Sequence, residues 1–407
     1  MSQRILLSLH NPGEYFDPTG RGTQPVIVLD GWLSSKARFG RSTLLIPAEA
    51  LKAVKCFTFS PSEPGSWRCS DLAADFEINF FSESQWTARE RTLERLATVS
   101  RLTESRCHEL FPMTALLEFG GQAVFYHYLT SGPRGLLFSA VRRDAAETSA
   151  ATHETLAGLI QESAAIVLDA HQCFNHTGWF SKWEPEIEME RKYTLKGDRA
   201  DIWKLSRKLY RAIADGAYPR YIPEFLDEYQ VWDFENYMFE LFSGAQSDGY
   251  ISFIAQADGR MTAKYKRFQA DAERRYEDLQ VNLELSLDAL DAYVRSRFPN
   301  HSARRFPAFR RKKIDIKLES LETGNVYGIY FDMCRPQDDP ASSLCQCEVE
   351  YMRSRILGPI HQVEDEYAEV CAMAKQYLLD ERVDFDEGFY SKLSFMRDRV
   401  AAVGAGV

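Results

Sequence analysis

Charged and apolar positions alternate with a period of two along several short stretches in the second half of the chain, the pattern of strands with one polar face. In Ile187 to Lys192 the alternation places Glu188, Glu190 and Lys192 on one face and Ile187, Met189 and Arg191 on the other. Leu344 to Tyr351 repeats the design, with Gln346, Glu348 and Glu350 opposed to Cys345, Cys347, Val349 and Tyr351. Between the two acidic strands lie basic ones of the same period. Arg260, Lys264 and Lys266 fall in step on the first, and on the second Arg311, Lys313, Asp315 and Lys317 oppose Ile314, Ile316 and Leu318.

A solvated sheet face accounts for the alternation but not for the sorting of carboxylates to both ends of the run and cations to its middle. Strands closed into a barrel with the charged face inward account for both. Charges in such a shielded lumen are tolerable only when paired with one another, with a metal or with an anionic ligand. Two carboxylates at i and i+2 of a strand, roughly 6–7 Å apart, can share a hard divalent cation, and a lysine two positions on offers a point charge to a phosphate bridged by that cation. A polyphosphate with its divalent metal is the guest that fits.

Helical spacing joins these strands. Asp198 is expected to cap a surface helix from Arg199 to about Ala214, with Ile202, Leu205, Leu209 and Ile213 on its apolar stripe, and a second helix is expected over Leu283 to Phe298. The aromatic run from Tyr229 to Phe239 is expected to pack outward. Upstream, strand-like runs at Pro25–Leu29, Ser42–Ile46, Phe76–Phe80, Ala123–Leu129 and Gly135–Phe138 combine with a charged helical segment from about Ala88 to Leu110, which reads as α+β and carries no defensible chemistry. An apolar helical pattern over Leu156 to Leu168 gives way near Asn175 to Trp183 to an aromatic loop, so the division expected is residues 1–178 and 179–407.

At 407 residues the chain exceeds what one core normally supports, in keeping with two domains. A formal net charge of −10 and a pI near 5.5 argue against a nucleic-acid partner, because phosphate backbones recruit net positive surfaces. No stretch approaches the roughly 18 apolar residues of a membrane span, and Met1 to His10 lacks the features of a secretory leader, so no membrane partner and a cytoplasmic location are expected. The eight cysteines form no CxxC pair and are expected to be reduced. His171-x-Cys173-x-x-His176 fits no common zinc spacing.

The charged strands resemble the triphosphate tunnel metalloenzymes, the CYTH superfamily, over most of the C-terminal half. Glu188-x-Glu190-x-Lys192 resembles the family's opening strand, Met261-Thr-Ala-Lys264-Tyr-Lys266 its Leu-Thr-x-Lys strand, and Arg275-Tyr-Glu277 the Arg-x-Glu strand that follows. In the same order, Arg311-Lys-Lys313 is similar to the later basic strand, Ile329-Tyr-Phe-Asp332 to the strand ending in aspartate, Glu348-Val-Glu350 to the closing Glu-x-Glu, and Tyr390-Ser-Lys392-Leu to the serine-lysine helix. One departure stands out. The third strand, here Gly249 to Ile254, lacks the arginines usual in the family, and Arg260 on the next strand is the candidate to compensate.

The resemblance implies a closed antiparallel eight-stranded β-barrel with outer helices, preceded by an α+β N-terminal domain. Mg²⁺ or Mn²⁺ would be held by Glu188, Glu190, Glu348 and Glu350, and a triphosphate by Lys264, Lys266, Arg275, Arg311 and Lys313. Lys192 would neutralise developing charge, and Glu277 or Asp332 would orient the attacking water. A triphosphatase acting on inorganic triphosphate, a nucleoside triphosphate or another organic triphosphate is the leading reading. A class IV-like nucleotidyl cyclase and a non-catalytic triphosphate-binding protein compete with it, and products separate the three: orthophosphate, pyrophosphate with a cyclic nucleotide, or binding without turnover.

Overall fold

The computed structural model describes residues 3–15, 25–47, 50–59, 67–72, 94–119, 121–132, 134–142, 152–160, 181–197, 201–225, 229–339, 341–356 and 358–405. The expected strand Phe76–Phe80, the His171-x-Cys173-x-x-His176 motif, Asp198 and the 178/179 division lie outside them.

The first half is built on a nine-stranded antiparallel sheet of β1 (Gln3–His10), β2 (Val26–Leu33), β3 (Arg38–Phe39), β4 (Thr43–Ile46), β5 (Leu51–Phe59), β6 (Trp67–Asp71), β7 (Phe111–Phe119), β8 (Gln122–Gly132) and β9 (Gly135–Arg142), in the spatial order 3-4-9-8-7-1-2-5-6. One face buries Leu7, Leu29, Leu117, Tyr126 and Phe138 against Leu96 and Cys107 of short helical segments. The run Gln3 to His10, weighed in the sequence only as a possible leader, is the strand between β2 and β7.

The second half is the closed antiparallel barrel. Its staves are β10 (Ile187–Lys196), β12 (Tyr229–Ser243), β13 (Gln246–Ala255), β14 (Met261–Arg267), β15 (Arg274–Leu283), β17 (Phe309–Ser320), β18 (Asn325–Pro336) and β19 (Leu344–Ser354), with β11 (Tyr221–Pro223), β16 (Ser302–Arg305) and β20 (Asp384–Gly388) flanking them. The order runs 17-18-19-10-15-14-13-12, and pairing of β12 with β17 from Tyr229↔Ile316 to Asn236↔Phe309 closes the ring. Ile314, Ile316, Leu318, Val349, Cys347 and Met189 face outward into a core covered by helices α1 (Ile202–Ala214) and α3 (Val363–Asp380). Burying that apolar stripe forces the charged positions of the same strands inward, since alternate side chains point to opposite faces.

The helix boundaries differ from the expected ones. Asp201, rather than Asp198, caps α1, its carboxylate accepting from the amides of Trp203 and Lys204. Helix α2 (Leu290–Arg297) starts seven residues after the expected Leu283, because β15 keeps extended pairing with β14 as far as Met261↔Leu283.

Helix α4 (Lys392–Ala405) closes one end of the barrel, burying Leu393 and Met396 against Met238, Tyr250 and Phe309. The N-terminal sheet docks at the other end, against the turn that joins β17 to β18. There the amides of Ser42 and Thr43 donate to the carbonyl of Leu321, and Leu45, Leu129 and Leu137 pack on Ile222, Phe225 and Leu321. Thr43 donates to the buried carboxylate of Glu319 at 3.0 Å, and Arg134 donates to the carbonyls of Pro223 and Glu224.

Candidate functional site

The inward faces of the staves line one cavity of about 710 Å³. Glu188, Glu190 and Lys192 reach it from β10, Lys264 and Lys266 from β14, Arg275 from β15, Arg311 and Lys313 from β17, and Glu348 and Glu350 from β19. Register brings together charges far apart in the chain: Glu190 lies opposite Glu350, Lys192 opposite Glu348, and Glu188 opposite Arg275. All but two of the twelve residues expected from the resemblance to hold metal or triphosphate or to serve catalysis therefore line a single space. The two exceptions, Glu277 and Asp332, are not among the lining residues, and each pairs with two cations that are. Glu277 lies 2.8 Å from Lys264 and 3.3 Å from Lys266, and Asp332 meets Arg311 and lies 2.9 Å from Lys392.

Most charges of the lumen are paired internally. Lys192 bridges Glu190 (2.5 Å) and Glu348 (3.0 Å), Lys266 donates to Glu188 (2.6 Å), Arg275 donates to Glu188 and Glu190, and Lys313 lies 3.1 Å from Asp315. Burial opposes ionisation of Glu190, yet Lys192, Lys266, Arg275 and Lys392 together hold its carboxyl well below the usual range. Asp332 is likewise desolvated but held low by Arg311 and Lys392, and Glu277 by Lys264 and Lys266.

Glu350 differs from its neighbours. Burial first, and then the charge of Glu188, push its carboxyl up to about 8, with Lys264 only partly opposing. Oxygens of Glu188, Glu190 and Glu350 lie within 4.8 Å of one another. Three convergent hard oxygen donors fit a hard divalent cation. The four expected metal ligands thus divide: Glu348 stands outside the trio, held by Lys192 and, at 2.6 Å, by Lys392.

Sequence reasoning missed several lining residues. Lys392 was noted in its motif without a role, and α4 carries its ammonium between Asp332 and Glu348. Tyr330 shares the inward face of β18 with Asp332, a relation that period two alone reveals, and its ring lies flat over Gly328, where a Cβ would stand 2.2 Å from the ring carbon Cζ. The Lys313 ammonium sits 3.5 Å from the centre of the same ring. Asp315 completes the row begun by Arg311 and Lys313.

Two expectations are corrected. Arg260 does not replace the missing arginine: it is exposed in the turn before β14 and pairs with Asp258, since one more residue of extended backbone would be needed to bring it into the barrel wall. On β12, Trp232 and Phe234 turn inward to the cavity, while Tyr237 and Phe239 pack outward with Leu290 and Val294 as expected.

No family model matches the chain, and no curated protein does. Solved structures give partial likenesses. The PH1819 protein of Pyrococcus horikoshii OT3 is similar over 52% of this chain and 99% of its own, at 14% identity and a TM-score of 0.30. HpAC1 from Hippeastrum, described as an adenylyl cyclase candidate with a dominant triphosphatase activity, is similar over 52% of this chain and 95% of its own, at 11% identity and a TM-score of 0.30. The S. pombe RNA triphosphatase Pct1, solved with the Spt5 CTD, is similar over 48% of this chain and 83% of its own, at 10% identity and a TM-score of 0.21. At these TM-scores the likenesses carry no argument about function, which rests on the site itself.

Proposed function

We propose that the chain hydrolyses the terminal phosphoric anhydride bond of a triphosphate-containing small molecule, with Mg²⁺ or Mn²⁺ as cofactor. The observation that carries this reading is the set of seven cations, Lys192, Lys264, Lys266, Arg275, Arg311, Lys313 and Lys392, that face one enclosed lumen beside a carboxylate trio. A lumen that holds so many paired charges favours an anion able to take over several cations at once, and a triphosphate does so along its length.

Glu188, Glu190 and Glu350 would hold the metal, which when bound neutralises phosphoryl charge and polarises the P–O bonds. The cations exchange part of their carboxylate contacts for phosphoryl oxygens while those to Glu277 and Asp332 persist, and this exchange orients the polyphosphate and stabilises charge that grows as water attacks the terminal phosphorus. Glu277 and Asp332, expected from sequence to orient that water, act here as positioning residues. Glu277 aims Lys264 and Lys266, and Asp332 aims Arg311 and Lys392.

A screen of inorganic triphosphate, nucleoside triphosphates and thiamine triphosphate with Mg²⁺ and Mn²⁺, with products resolved by chromatography, tests the reading. Orthophosphate release that stops on chelation of the metal is the expected result. Pyrophosphate with a cyclic nucleotide would redirect it to cyclisation, and binding without turnover would make the chain a sensor.

A further inference from the structure

One wall of the cavity contributes no cation of its own, although the Arg311 guanidinium of the neighbouring β17 lies 5.2 Å from the centre of the Phe234 ring. The inward positions of β12 are Trp232, Phe234, Asn236 and Met238, and beside them β13 presents Ser252 and Ile254. Ile254 pairs with Asn236 on one side and Thr262 on the other, so these neutral side chains form a continuous patch across three strands; Leu279 on β15 also lines the cavity, opposite Lys264. Strand polarity places Trp232, Ile254, Thr262 and Leu279 toward the barrel end opposite α4, where Trp232 is 47% and Leu279 53% exposed. This is a half-open apolar mouth above a charged interior.

Asn236 supplies an independent observation. It is only 2% exposed and lines the cavity, yet among the described residues its Oδ1 has no hydrogen-bond partner. A buried amide oxygen left unpaired costs about 1–3 kcal/mol, a penalty removed when a ligand brings an N–H or O–H to it. A fully ionised, metal-bound polyphosphate offers acceptors and no such donor, and it gains no contact from Trp232 or Ile254.

We propose that the substrate is an organic triphosphate whose planar heteroaromatic group stacks on Trp232 and Phe234 at the mouth and donates a hydrogen bond to Asn236 Oδ1, while its phosphates enter the charged interior. The inference rests on the triphosphate reading and narrows it to organic triphosphates in preference to inorganic triphosphate. The volume of about 710 Å³ is that of pockets which enclose small organic molecules. Nucleobases and the rings of thiamine share this chemistry, and the choice between them falls to the experiment.

Calorimetric titration of the full chain with inorganic triphosphate, ATP, CTP and thiamine triphosphate, with Ca²⁺ as the cation, tests the proposal on the parent and on Trp232→Ala, Phe234→Ala and Asn236→Leu. At least one organic triphosphate should bind roughly five- to a hundredfold more tightly than inorganic triphosphate, the range of one aromatic stack. That advantage should shrink in each variant while the affinity for inorganic triphosphate stays unchanged in Trp232→Ala and Asn236→Leu, which also reports an intact barrel; Phe234→Ala also removes the ring under Arg311 and should weaken binding of both. Inorganic triphosphate binding as tightly as every organic one overturns the inference and leaves the triphosphate reading standing. Binding of no triphosphate at all overturns both.

Discussion

At the scale of single residues, the consequences follow from which charges have partners. Glu190→Gln and Glu350→Gln each remove a carboxylate of the trio with little change of volume, so both should abolish metal-dependent turnover while far-ultraviolet circular dichroism stays that of the parent. Full activity in either would disconnect the trio from the chemistry. Their stabilities should differ with pH. The Glu350 carboxyl is raised to about 8, so between the ordinary carboxylate range and pH 8 the folded state binds a proton that the unfolded state has lost. Stability attributable to this group therefore falls as pH rises through that window. Glu350→Gln removes the loss, and its metal-free melting temperature should exceed the parent's at pH 8 and match it near pH 4. The same proton must leave when a cation binds, so metal affinity measured by titration should rise with pH up to about 8.

Lys264 on β14 and, two residues apart on β17, Arg311 and Lys313 meet different parts of an extended anion. Replacing each with alanine should weaken triphosphate binding by about 1.5–3 kcal/mol, roughly ten- to a hundredfold, and orthophosphate binding far less. Titration with ortho-, pyro- and triphosphate reads this dependence on length, and three variants that bind triphosphate like the parent would remove these cations from the ligand's path.

At the scale of elements, local rules fixed which face each strand presents but not where every element begins. The charged rows of β10, β17 and β19 were legible because side-chain period two belongs to the extended backbone itself. The inward turn of Trp232 and Phe234 was not, because here the charged Asp233 and Glu235 alternate with them on the opposite face, the reverse of the charge-inward pattern of β10 and β17, and only pairing of Trp232 with Lys313 and of Phe234 with Arg311 fixes it. Helix α1 supplies a test of its revised start: Asp201→Ala should cost about 1 kcal/mol through loss of the cap to Trp203 and Lys204, seen as a lower melting temperature with unchanged ligand affinity. On β18, Gly328→Ala would place a methyl group where the Tyr330 ring now lies. It should displace that ring and the Lys313 ammonium stacked on it, lowering turnover more than stability. Activity equal to the parent's would remove Tyr330 and its stacked lysine from the working site.

At the scale of the whole molecule, every residue of the cavity lies downstream of residue 181, while the N-terminal sheet holds the end of the barrel where the apolar mouth opens. We expect a fragment of residues 181–407 to retain triphosphate binding within a few-fold, since no lining side chain is lost. It should melt lower and self-associate, because Ile222, Phe225 and Leu321 lose their cover and Glu319 loses its hydroxyl donor. Calorimetry and sedimentation measure both, and a folded fragment without affinity would show that the sheet shapes the site.

The sequence by itself determined the strand faces, the charge carried on each and, through their order, the barrel they close into, because period and composition are local properties of a chain in contact with one core. The tertiary structure alone decided which charges meet. Strand register set Glu350 among like charges while giving Glu190 two direct cation partners, Lys192 and Arg275, α4 carried Lys392 back across the barrel end, and ring closure between β12 and β17 turned two aromatic residues into the lip of the cavity. Those contacts join residues many tens of positions apart, so their pairing depends on how the whole ring closes, which no window of sequence contains.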